Sequence, residues 1–376
     1  RSTPMNEYDS LLDGLRASGN FRTIPSDASS AEGVIDFSSN DYLGIAADAH
    51  LLDEFMGQLQ VRPKAFSSSA SRLLAASQSE YTSLERLLAD LYGRSALLFN
   101  SGYHANTGLI PALVATPART LIVADKLVHA SIIDGMMLSK ARFLRFRHND
   151  YDHLERILKG NSAEYDRMMI VTEGVFSMDG DRCDVARLAQ IKRSYPGAML
   201  YIDEAHSFGV LGRQGLGLSR DAAPEDYAEV DVVVGTLGKA AASVGAFAVM
   251  SEQLRHVVVN RARSLIFSTS LPPVNVAWSH FVIEKILDMD SRRAHLQQLP
   301  EILSPDMPRY IYPHIIGDAA LTVEASQRLL REGMKVLPIR TPTVPPGTER
   351  LRVSLSAAMT AAQVSRLATA LKSLKV

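Results

Sequence analysis

Short apolar runs rich in branched residues recur between residues 96 and 250, and most are separated by segments with apolar positions at helical spacing. One such helical segment, DVARLAQIKRSYPG, stops at Pro196-Gly197. Strands that are apolar on both faces and alternate with helices indicate a mainly parallel sheet covered by helices on both sides. The pattern predicts an α/β fold with seven strands. These runs are ALLFN (96–100), LIVAD (121–125), RFLRF (142–146), MMIVTEG (168–174), MLYIDEA (199–205), DVVVG (231–235) and GAFAVM (245–250).

The pattern changes after residue 270. A helical stretch over 274–299 leads to a proline-rich break, a strand, a helix that ends on Gly333, two more strands and a last helix. We therefore expect an N-terminal arm (1–45), a large α/β domain (46–275) and a small C-terminal α+β domain (276–376). The residues before Met5 are interpreted as a remnant of cloning.

Composition narrows the class of protein. A chain of 376 residues is long enough for one large domain and one or two smaller ones. The net charge of −1 gives no indication of a nucleic-acid or membrane surface. A single cysteine, Cys183, excludes an intrachain disulfide and suits a reducing cytoplasm. No signal peptide or membrane span is recognisable, so we expect a cytoplasmic protein.

Open parallel sheets bind ligands beyond the carboxyl ends of their strands, so the residues at those positions are candidates for a site. Gly102 follows one strand and opens a helix, whose free N–H groups suit a phosphate, although a plain strand-to-helix turn explains it equally well. His129 and His206 follow two other strands, and a lone histidine is usually structural. GRQGLG (212–217) has the wrong spacing and position for a dinucleotide loop.

Asp203 and Lys239 change this interpretation. Asp203 sits within an apolar strand, where a buried carboxylate needs a cation or several hydrogen bonds. A random lysine usually reaches the surface, but a partly buried lysine can form a Schiff base with an aldehyde. A lysine for the aldehyde, a carboxylate that keeps a pyridine nitrogen protonated and a helix start for a phosphate are what pyridoxal phosphate needs. We therefore expect pyridoxal 5′-phosphate as cofactor and no metal.

Seven segments in order along the chain resemble the α-oxoamine synthases, which are fold-type-I pyridoxal-phosphate enzymes. Together they cover most of the chain and are highly specific. The resemblance implies a mainly parallel seven-stranded sheet domain, a small C-terminal α+β domain and a homodimer with shared active sites. The segments are FSSNDYLG (37–44), HND (148–150), TEGVFSMDGD (172–181), DEAHSFGVLG (203–212), TLGK (236–239), IFSTSLPP (266–273) and PTVPPGTERLRVSLSAA (342–358).

The resemblance also implies roles for individual residues. Lys239 would bind the cofactor aldehyde and then act as base and acid at the substrate Cα, while Asp203 would pair with the pyridine nitrogen. His129 would stack on the ring, with Ser177 and His206 near its phenolic oxygen. The remaining roles are phosphate binding by Gly102, Tyr103 and Thr236, binding of the neighbouring subunit's phosphate by Ser268 and Thr269, binding of the amino-acid carboxylate by Arg352 with Asn40 nearby, and binding of a distal acyl carboxylate by Arg22.

The implied reaction is a decarboxylative condensation of an amino acid with an acyl thioester. FSSNDYLG and the PTVPPGT turn favour the branch of the family that joins L-alanine to a pimeloyl thioester, which yields 8-amino-7-oxononanoate, CO₂ and a free thiol in biotin synthesis. The acyl carrier could be coenzyme A or an acyl carrier protein. Alternatives within the family are 2-amino-3-ketobutyrate ligase, 5-aminolevulinate synthase, serine palmitoyltransferase and a quorum-signal synthase.

Two departures from the family pattern concern the acyl pocket. Tyr81 stands where the family usually has a histidine after a glycine-rich stretch, although Ser71 and Arg72 match. Segment 290–315 also looks shorter than usual. Both departures affect the expected identity of the acyl substrate more than the expected cofactor chemistry. Outside the family, a non-catalytic protein that binds pyridoxal phosphate is the alternative, but every expected catalytic position is filled.

Overall fold

The computed structural model describes residues 5–24, 33–76 and 78–374, and the residues interpreted as a cloning remnant lie outside them. The described residues form two compact units. The large unit comprises residues 43–177 and 181–293. The small unit lies within residues 1–42, 178–180 and 294–376.

The large unit is built on a seven-stranded sheet. Its strands are β2 (Ser95–Phe99), β3 (Thr120–Asp125), β4 (Arg142–Phe146), β5 (Arg167–Glu173), β6 (Ala198–Asp203), β7 (Val232–Thr236) and β8 (Ala246–Met250). They are arranged in the order β2-β8-β7-β6-β5-β3-β4. Strands β3 to β7 are mutually parallel, and β8 is antiparallel to both of its neighbours, so β2 runs in the same direction as β7. The seven strands found are those predicted, and the mixed α/β fold is confirmed.

Helices connect these strands, and several begin at a side chain that caps the free backbone N–H groups. Ser101 accepts from His104 N, and Asp184 accepts from Arg187 N. Such caps fix the residue at which each of these helices begins. The helices are α2 (Ala49–Val61), α3 (Ser79–Tyr92), α4 (Gly102–Val114), α5 (Ala130–Ser139), α6 (Tyr151–Asn161), α7 (Val185–Arg193), α8 (Leu218–Asp221), α9 (Pro224–Tyr227), α10 (Glu252–Arg261), α11 (Arg263–Ile266) and α12 (Pro273–Leu287).

The core of the large unit explains the continuous apolar runs of the sequence. All residues of β7 and β8 are buried, and Ile122, Val171 and Val234 pack in one cluster with residues of α4 and α5. A strand covered on both faces gains hydrophobic stabilisation from every side chain, so alternation with polar residues is absent from these strands.

The small unit contains two sheets. β1 (Ile35–Asp36) pairs in parallel with β10 (Met334–Lys335), and β12 (Arg350–Ser354) lies between β11 (Leu337–Ile339) and β9 (Ile311–Ile315) in an antiparallel sheet. Gly333 ends a helix with a φ of +78°, a left-handed conformation that glycine adopts without strain. The helices of the small unit are α1 (Met5–Ala17), α14 (Ala319–Arg331), α15 (Ala361–Lys372) and, from residue 294 onwards, α13 (Asp290–Leu303).

The compact units differ from the expected domains in two respects. The expected N-terminal arm is not a separate part, because Ile35 pairs with Met334 and the arm clusters with the C-terminal residues. The expected boundary after residue 275 falls inside α12, which packs on α2 through Phe55 and Trp278. The division lies between residues 293 and 294 instead. The helical stretch expected over 274–299 is also two helices, α12 and α13.

The part of the chain that the structure describes contains neither a membrane-spanning helix nor a cluster of side chains for a metal ion. Within residues 5–24, 33–76 and 78–374, no helix is long and apolar enough to cross a membrane. In the same part of the chain, no group of three or more histidine, cysteine, aspartate or glutamate side chains is placed to hold a metal ion.

Candidate active site

The strand order of the large unit brings its candidate residues to one edge of the sheet. Gly102 follows β2, Lys239 follows β7, Asp203 ends β6 and His129 follows β3. Because these strands run in the same direction, their carboxyl ends meet at the same edge. Residues up to 137 positions apart in the sequence (Gly102 to Lys239) therefore share one region.

Lys239 and His206 are in contact at this edge. Nζ of Lys239 lies 2.8 Å from Nε2 of His206, and His206 is buried. Lys239 lies among small residues, with Ala240 and Ala241 after it. These leave space around the amine, and the hydrogen bond to the imidazole fixes its direction.

Asp203 is buried with hydrogen bonds to both carboxylate oxygens. Oδ2 accepts from Asn106 Nδ2 at 2.8 Å, and Oδ1 accepts from Ala205 N at 2.9 Å. Asn106 is held in turn by Tyr201, whose hydroxyl donates to Asn106 Oδ1 at 2.5 Å, and it also donates to Ser131 Oγ at 2.9 Å. These hydrogen bonds hold the buried carboxylate in one orientation, which suits a contact with a cationic ring nitrogen.

His129 is the N-cap of α5, and its ring is oriented by Ser131. Nδ1 of His129 lies 2.8 Å from Ser131 Oγ and accepts from Ser131 N at 3.2 Å. Its backbone N–H donates to Oε1 of Glu173. Burial lowers the pKa of His129, and the charge of Asp203 opposes this only in part. The ring is therefore neutral at neutral pH, which suits stacking on an aromatic ring.

The N-terminus of α4 lies at the same edge of the sheet. Space beside Gly102 is open, because a Cβ atom added there would meet no other atom within 4 Å. The Tyr103 side chain is about half exposed, and its hydroxyl donates to Asp134 Oδ2. Thr236 ends β7 and accepts from Gly238 N at 3.2 Å. Free N–H groups at the start of α4 with open space before them suit an anion.

Ser268 and Thr269 lie beside the end of β2 in their own chain. Asn100 Nδ2 donates to Ser268 Oγ at 3.1 Å and to the Thr269 carbonyl oxygen at 2.5 Å. The side chain of Thr269 is exposed. Their expected contact with a neighbouring subunit stays a prediction.

The small unit contains three of the predicted residues, Arg352, Asn40 and Arg22. Arg352, in β12, is 3 % exposed; it donates to Ser354 Oγ at 2.8 Å and to Asn40 Oδ1 at 3.1 Å. Tyr42 also donates to Asn40 Oδ1, at 3.0 Å, and burial raises the pKa of Tyr42 to about 12 although the charge of Arg352 opposes this. Arg22 is exposed and donates to Thr343 Oγ1 at 3.2 Å, in the PTVPPGT turn.

Ser177 lies in a loop that a charged histidine holds. His148 Nδ1 is 2.9 Å from Asp125 Oδ1, and its Nε2 is 2.5 Å from Asp181 Oδ2. Burial by itself would lower the pKa of His148, but the two carboxylates outweigh burial and raise this pKa to about 10. Its ring also contacts Phe176 edge-to-face at 4.4 Å. The HND motif thus fixes both ends of the loop that carries Ser177.

Tyr81, which departs from the family pattern, has a defined position in the large unit. It is 2 % exposed, and its hydroxyl donates to the Leu271 carbonyl oxygen at 2.5 Å. The guanidinium of Arg72 lies 4.3 Å above its ring. Ser71 pairs with Thr269 in a β-bridge. Tyr81 therefore holds the segment that carries Ser268 and Thr269.

The glycines of GRQGLG (212–217), which is not a dinucleotide loop, have a structural role. Gly215 and Gly217 both have positive φ angles, and a Cβ on Gly217 would lie 2.8 Å from Glu204 Oε2. Glu204 is buried and accepts from Ser219 N and Ser219 Oγ, each at 2.6 Å, and from Leu218 N at 3.1 Å. The glycines allow the backbone to wrap around this carboxylate.

Sequence reasoning assigned no role to several residues that the structure brings to the site. The notable ones are Glu173, Asn106, Ser131 and His148. Glu173 carried a signal, since it is an acidic residue at the end of an apolar strand, as Asp203 is. Asn106 and Ser131 lie on helices, and no local pattern connects either of them to Asp203.

The donor set fits pyridoxal phosphate. A buried carboxylate, a lysine amine held by an imidazole and an open helix N-terminus occur along one sheet edge, and the neutral ring of His129 lies in the segment between β3 and α5. These are the groups that the ring nitrogen, the aldehyde, the phosphate and the ring face require.

Comparison with known proteins agrees with this assignment. Residues 32–371 match the family "Aminotransferase class I and II". A Pasteurella multocida protein named "Putative 8-amino-7-oxononanoate synthase" is 46% identical over 385 residues, which cover 98% of each chain. A structure of SPT with pyridoxal phosphate as internal aldimine has a TM-score of 0.86 and 27% identity, and covers 99% of this chain and 98% of that one. The 8-amino-7-oxononanoate synthase of Francisella tularensis has a TM-score of 0.75 and 27% identity, over 91% of this chain and 97% of that one.

The chain therefore belongs to the class I and II aminotransferase family, and within it to the α-oxoamine synthases. It is a pyridoxal-phosphate-dependent acyltransferase of fold type I. The family, fold class and cofactor expected from the sequence are confirmed.

Proposed function

We propose that this enzyme condenses L-alanine with a pimeloyl thioester and releases 8-amino-7-oxononanoate, CO₂ and a free thiol, as a step of biotin synthesis. The observation that carries the proposal is the 46% identity, over 98% of the chain, to the relative named for that product. The motifs FSSNDYLG and PTVPPGT support the same branch of the family.

Bound pyridoxal phosphate would supply an aldehyde for the amino group of alanine and a ring that withdraws electrons from its Cα. Lys239 is proposed to hold the aldehyde until alanine arrives and then to take and return the Cα proton through Nζ. His206 orients Nζ through their 2.8 Å contact. Together with Ser177, it would lie near the phenolic oxygen of bound pyridoxal phosphate. Asp203 stabilises the protonated ring nitrogen, because its charge is buried and hydrogen-bonded at both oxygens.

Other residues of the chain are proposed to position the two ligands. His129 stacks on the ring, while Gly102, Tyr103 and Thr236 hold the phosphate. Arg352 binds the alanine carboxylate as a bidentate pair, in a position that Asn40 helps to fix. Arg22 is proposed to meet the far carboxylate of the pimeloyl chain.

We also propose a homodimer in which Ser268 and Thr269 contact the phosphate of the partner subunit's site. Exposure of Thr269 and of the neighbouring Phe267, which is 69 % exposed, supports such a contact. The acyl donor of this dimer is a thioester of coenzyme A or of an acyl carrier protein.

A substrate panel tests the proposal. Purified enzyme with pyridoxal phosphate is assayed with alanine, glycine and serine, each against pimeloyl, acetyl and palmitoyl thioesters. We expect alanine with pimeloyl thioester to have the highest kcat/KM, since each buried methylene contributes roughly 0.8 kcal/mol relative to acetyl. Palmitoyl should be rejected because it leaves the groups for the terminal carboxylate unpaired.

If another pair of amino acid and thioester has the highest kcat/KM, that pair identifies a different reaction. Glycine with acetyl-CoA would replace the proposal by 2-amino-3-ketobutyrate ligase. Serine with palmitoyl-CoA would replace it by serine palmitoyltransferase, an outcome that the structural similarity to SPT makes a specific competitor.

A further inference from the structure

Two carboxyl groups lie side by side at the carboxyl edge of the sheet. Glu173 ends β5 and Asp203 ends β6, and their Cα atoms are register partners. Neighbouring strands are about 4.8 Å apart, and partner residues project from the same face. Glu173 is 3 % exposed and Asp203 is 5 % exposed. Negative charges on two buried carboxyl groups of register partners repel each other, so the pair is expected to retain one proton.

Hydrogen bonds decide which carboxyl group keeps that proton. Asp203 accepts a donor at each oxygen, from Asn106 and from Ala205. Glu173 accepts the backbone N–H of His129 at Oε1. Because more donors stabilise the charge of Asp203, the proton belongs on Glu173. Burial, followed by the charge of Asp203, raises the pKa of Glu173 well above its usual range, in agreement with this assignment.

The charged and titratable groups around Glu173 come from every neighbouring element of the edge. Asp203 comes from β6, Lys239 from the turn after β7, His129 from the start of α5, and Asp125 from β3. Lys239 favours ionisation of Glu173, and the two aspartates oppose it. Asp125 is itself paired with His148.

We propose that Glu173 is a positioning residue of the cofactor site: as a neutral carboxylic acid it holds the backbone of His129 and leaves the negative charge of the pair on Asp203. The N–H of His129 precedes the helix and has no partner in the helical pattern, so Glu173 fixes the residue that stacks on the ring. The inference rests on the proposed function only in that His129 and Asp203 contact pyridoxal phosphate. The inference does not depend on the identity of the acyl substrate.

Three variants test this role. E173Q keeps the size, the neutrality and an acceptor oxygen, whereas E173A removes the acceptor. E204Q is the matched control, because Glu204 is equally buried but accepts from Leu218 and Ser219, whereas the His129 N–H donates to Glu173. The readouts are the infrared band of protonated carboxylic acids in the cofactor-free protein, the dissociation constant of pyridoxal phosphate, and the pH midpoint of the visible absorbance of bound cofactor.

We expect E173Q to lose an infrared band that the parent and E204Q retain. E173Q should leave the pH midpoint unchanged, since it removes no charge. E173A should bind pyridoxal phosphate about tenfold more weakly, the effect of leaving one buried N–H unpaired. If E173A does not fold, as judged by its melting temperature, E173D replaces it, because the shorter side chain cannot reach the His129 N–H.

A midpoint shifted by about 1 unit or more in E173Q, or no lost band, would show that Glu173 is ionised and overturn the proposal. Unchanged cofactor affinity in the folded E173A or E173D variant would overturn the positioning role. If the parent itself bound no pyridoxal phosphate, the proposed function would fail, while the infrared band would still report on Glu173.

Discussion

Nζ of Lys239 lies 2.8 Å from Nε2 of His206, so the proposed base and a buried imidazole form a hydrogen bond across the ends of neighbouring strands β7 and β6. The contact holds a flexible four-carbon side chain in one direction. It also joins two residues that are 33 positions apart in the sequence.

Lys239→Ala should reduce turnover by at least about 10³-fold, because it removes both the attachment point of the cofactor and the proposed base. Product formation from alanine and a pimeloyl thioester measures the effect. Lys159→Ala, at an exposed position of α6, is the control and should retain full turnover. Turnover by the Lys239 variant close to that of the parent would end the proposed role.

Asp203→Asn keeps the shape of the side chain but removes its charge. We expect the variant to retain pyridoxal phosphate, because the phosphate and the aldehyde are held elsewhere, and to exchange the Cα proton of alanine with solvent about 10²-fold more slowly. Deuterium incorporation into alanine, followed by NMR without an acyl donor, measures this step. Asp152→Asn, at a residue with an 81%-exposed side chain, is the control. Normal exchange in Asp203→Asn would contradict the assigned role.

Arg352→Lys should weaken the use of alanine, because an ammonium group cannot reproduce the paired donors of a guanidinium. We expect kcat/KM for alanine to fall about tenfold or more, equivalent to about 1.4 kcal/mol. The visible spectrum of bound cofactor should stay as in the parent, which separates substrate binding from cofactor binding. Arg328→Lys, at an exposed position of α14, controls for the substitution itself. An unchanged KM and kcat for alanine would exclude Arg352 from the carboxylate site.

Hybrid dimers test the shared active site. Lys239→Ala and a Ser268→Ala/Thr269→Ala double variant are each expected to be impaired, and co-expression with two affinity tags yields the hybrid. If Ser268 and Thr269 serve the partner's site, one site of the hybrid carries both defects and the other carries neither, so activity recovers to about half of the parent's. No recovery would place both residues in their own protomer's site, beside Asn100. An active monomer by light scattering would also contradict the dimer.

The pairing of His148 with Asp125 and Asp181 predicts a pH-dependent stability. The pKa of His148 is raised to about 10 in the folded protein, compared with about 6.5 in the unfolded chain. The contribution of His148 to the free energy of unfolding is therefore complete below pH 6.5 and declines as the pH rises towards 10. His148→Gln should therefore cost most stability near pH 6 and progressively less up to pH 10. Urea unfolding of the parent and the variant at pH 6, 8 and 10 measures the difference. His256→Gln, at an exposed histidine, is the control and should show no such trend. A loss of stability that does not depend on pH in His148→Gln would refute the charged pairing of His148 with the two aspartates.

The sequence by itself determined the seven strands, the cofactor class and the family. Apolar runs on both faces of a strand mark burial wherever the strand lies, and the ordered motifs specify the family through local residue identity. Strand ends were correct within about two residues for the same reason, since local patterns record burial directly.

Only the tertiary structure decided which side chains meet. Glu173 and Asp203 become neighbours because β5 pairs with β6, and Asn106 reaches Asp203 because α4 packs over that part of the sheet. The N-terminal arm joins the small unit through the pairing of Ile35 with Met334, which are 299 positions apart. Hydrogen bonds and charge interactions act over a few ångströms in space, whereas periodicity reports neighbours along the chain, so the support of Asp203 and His129 became visible only in the folded protein.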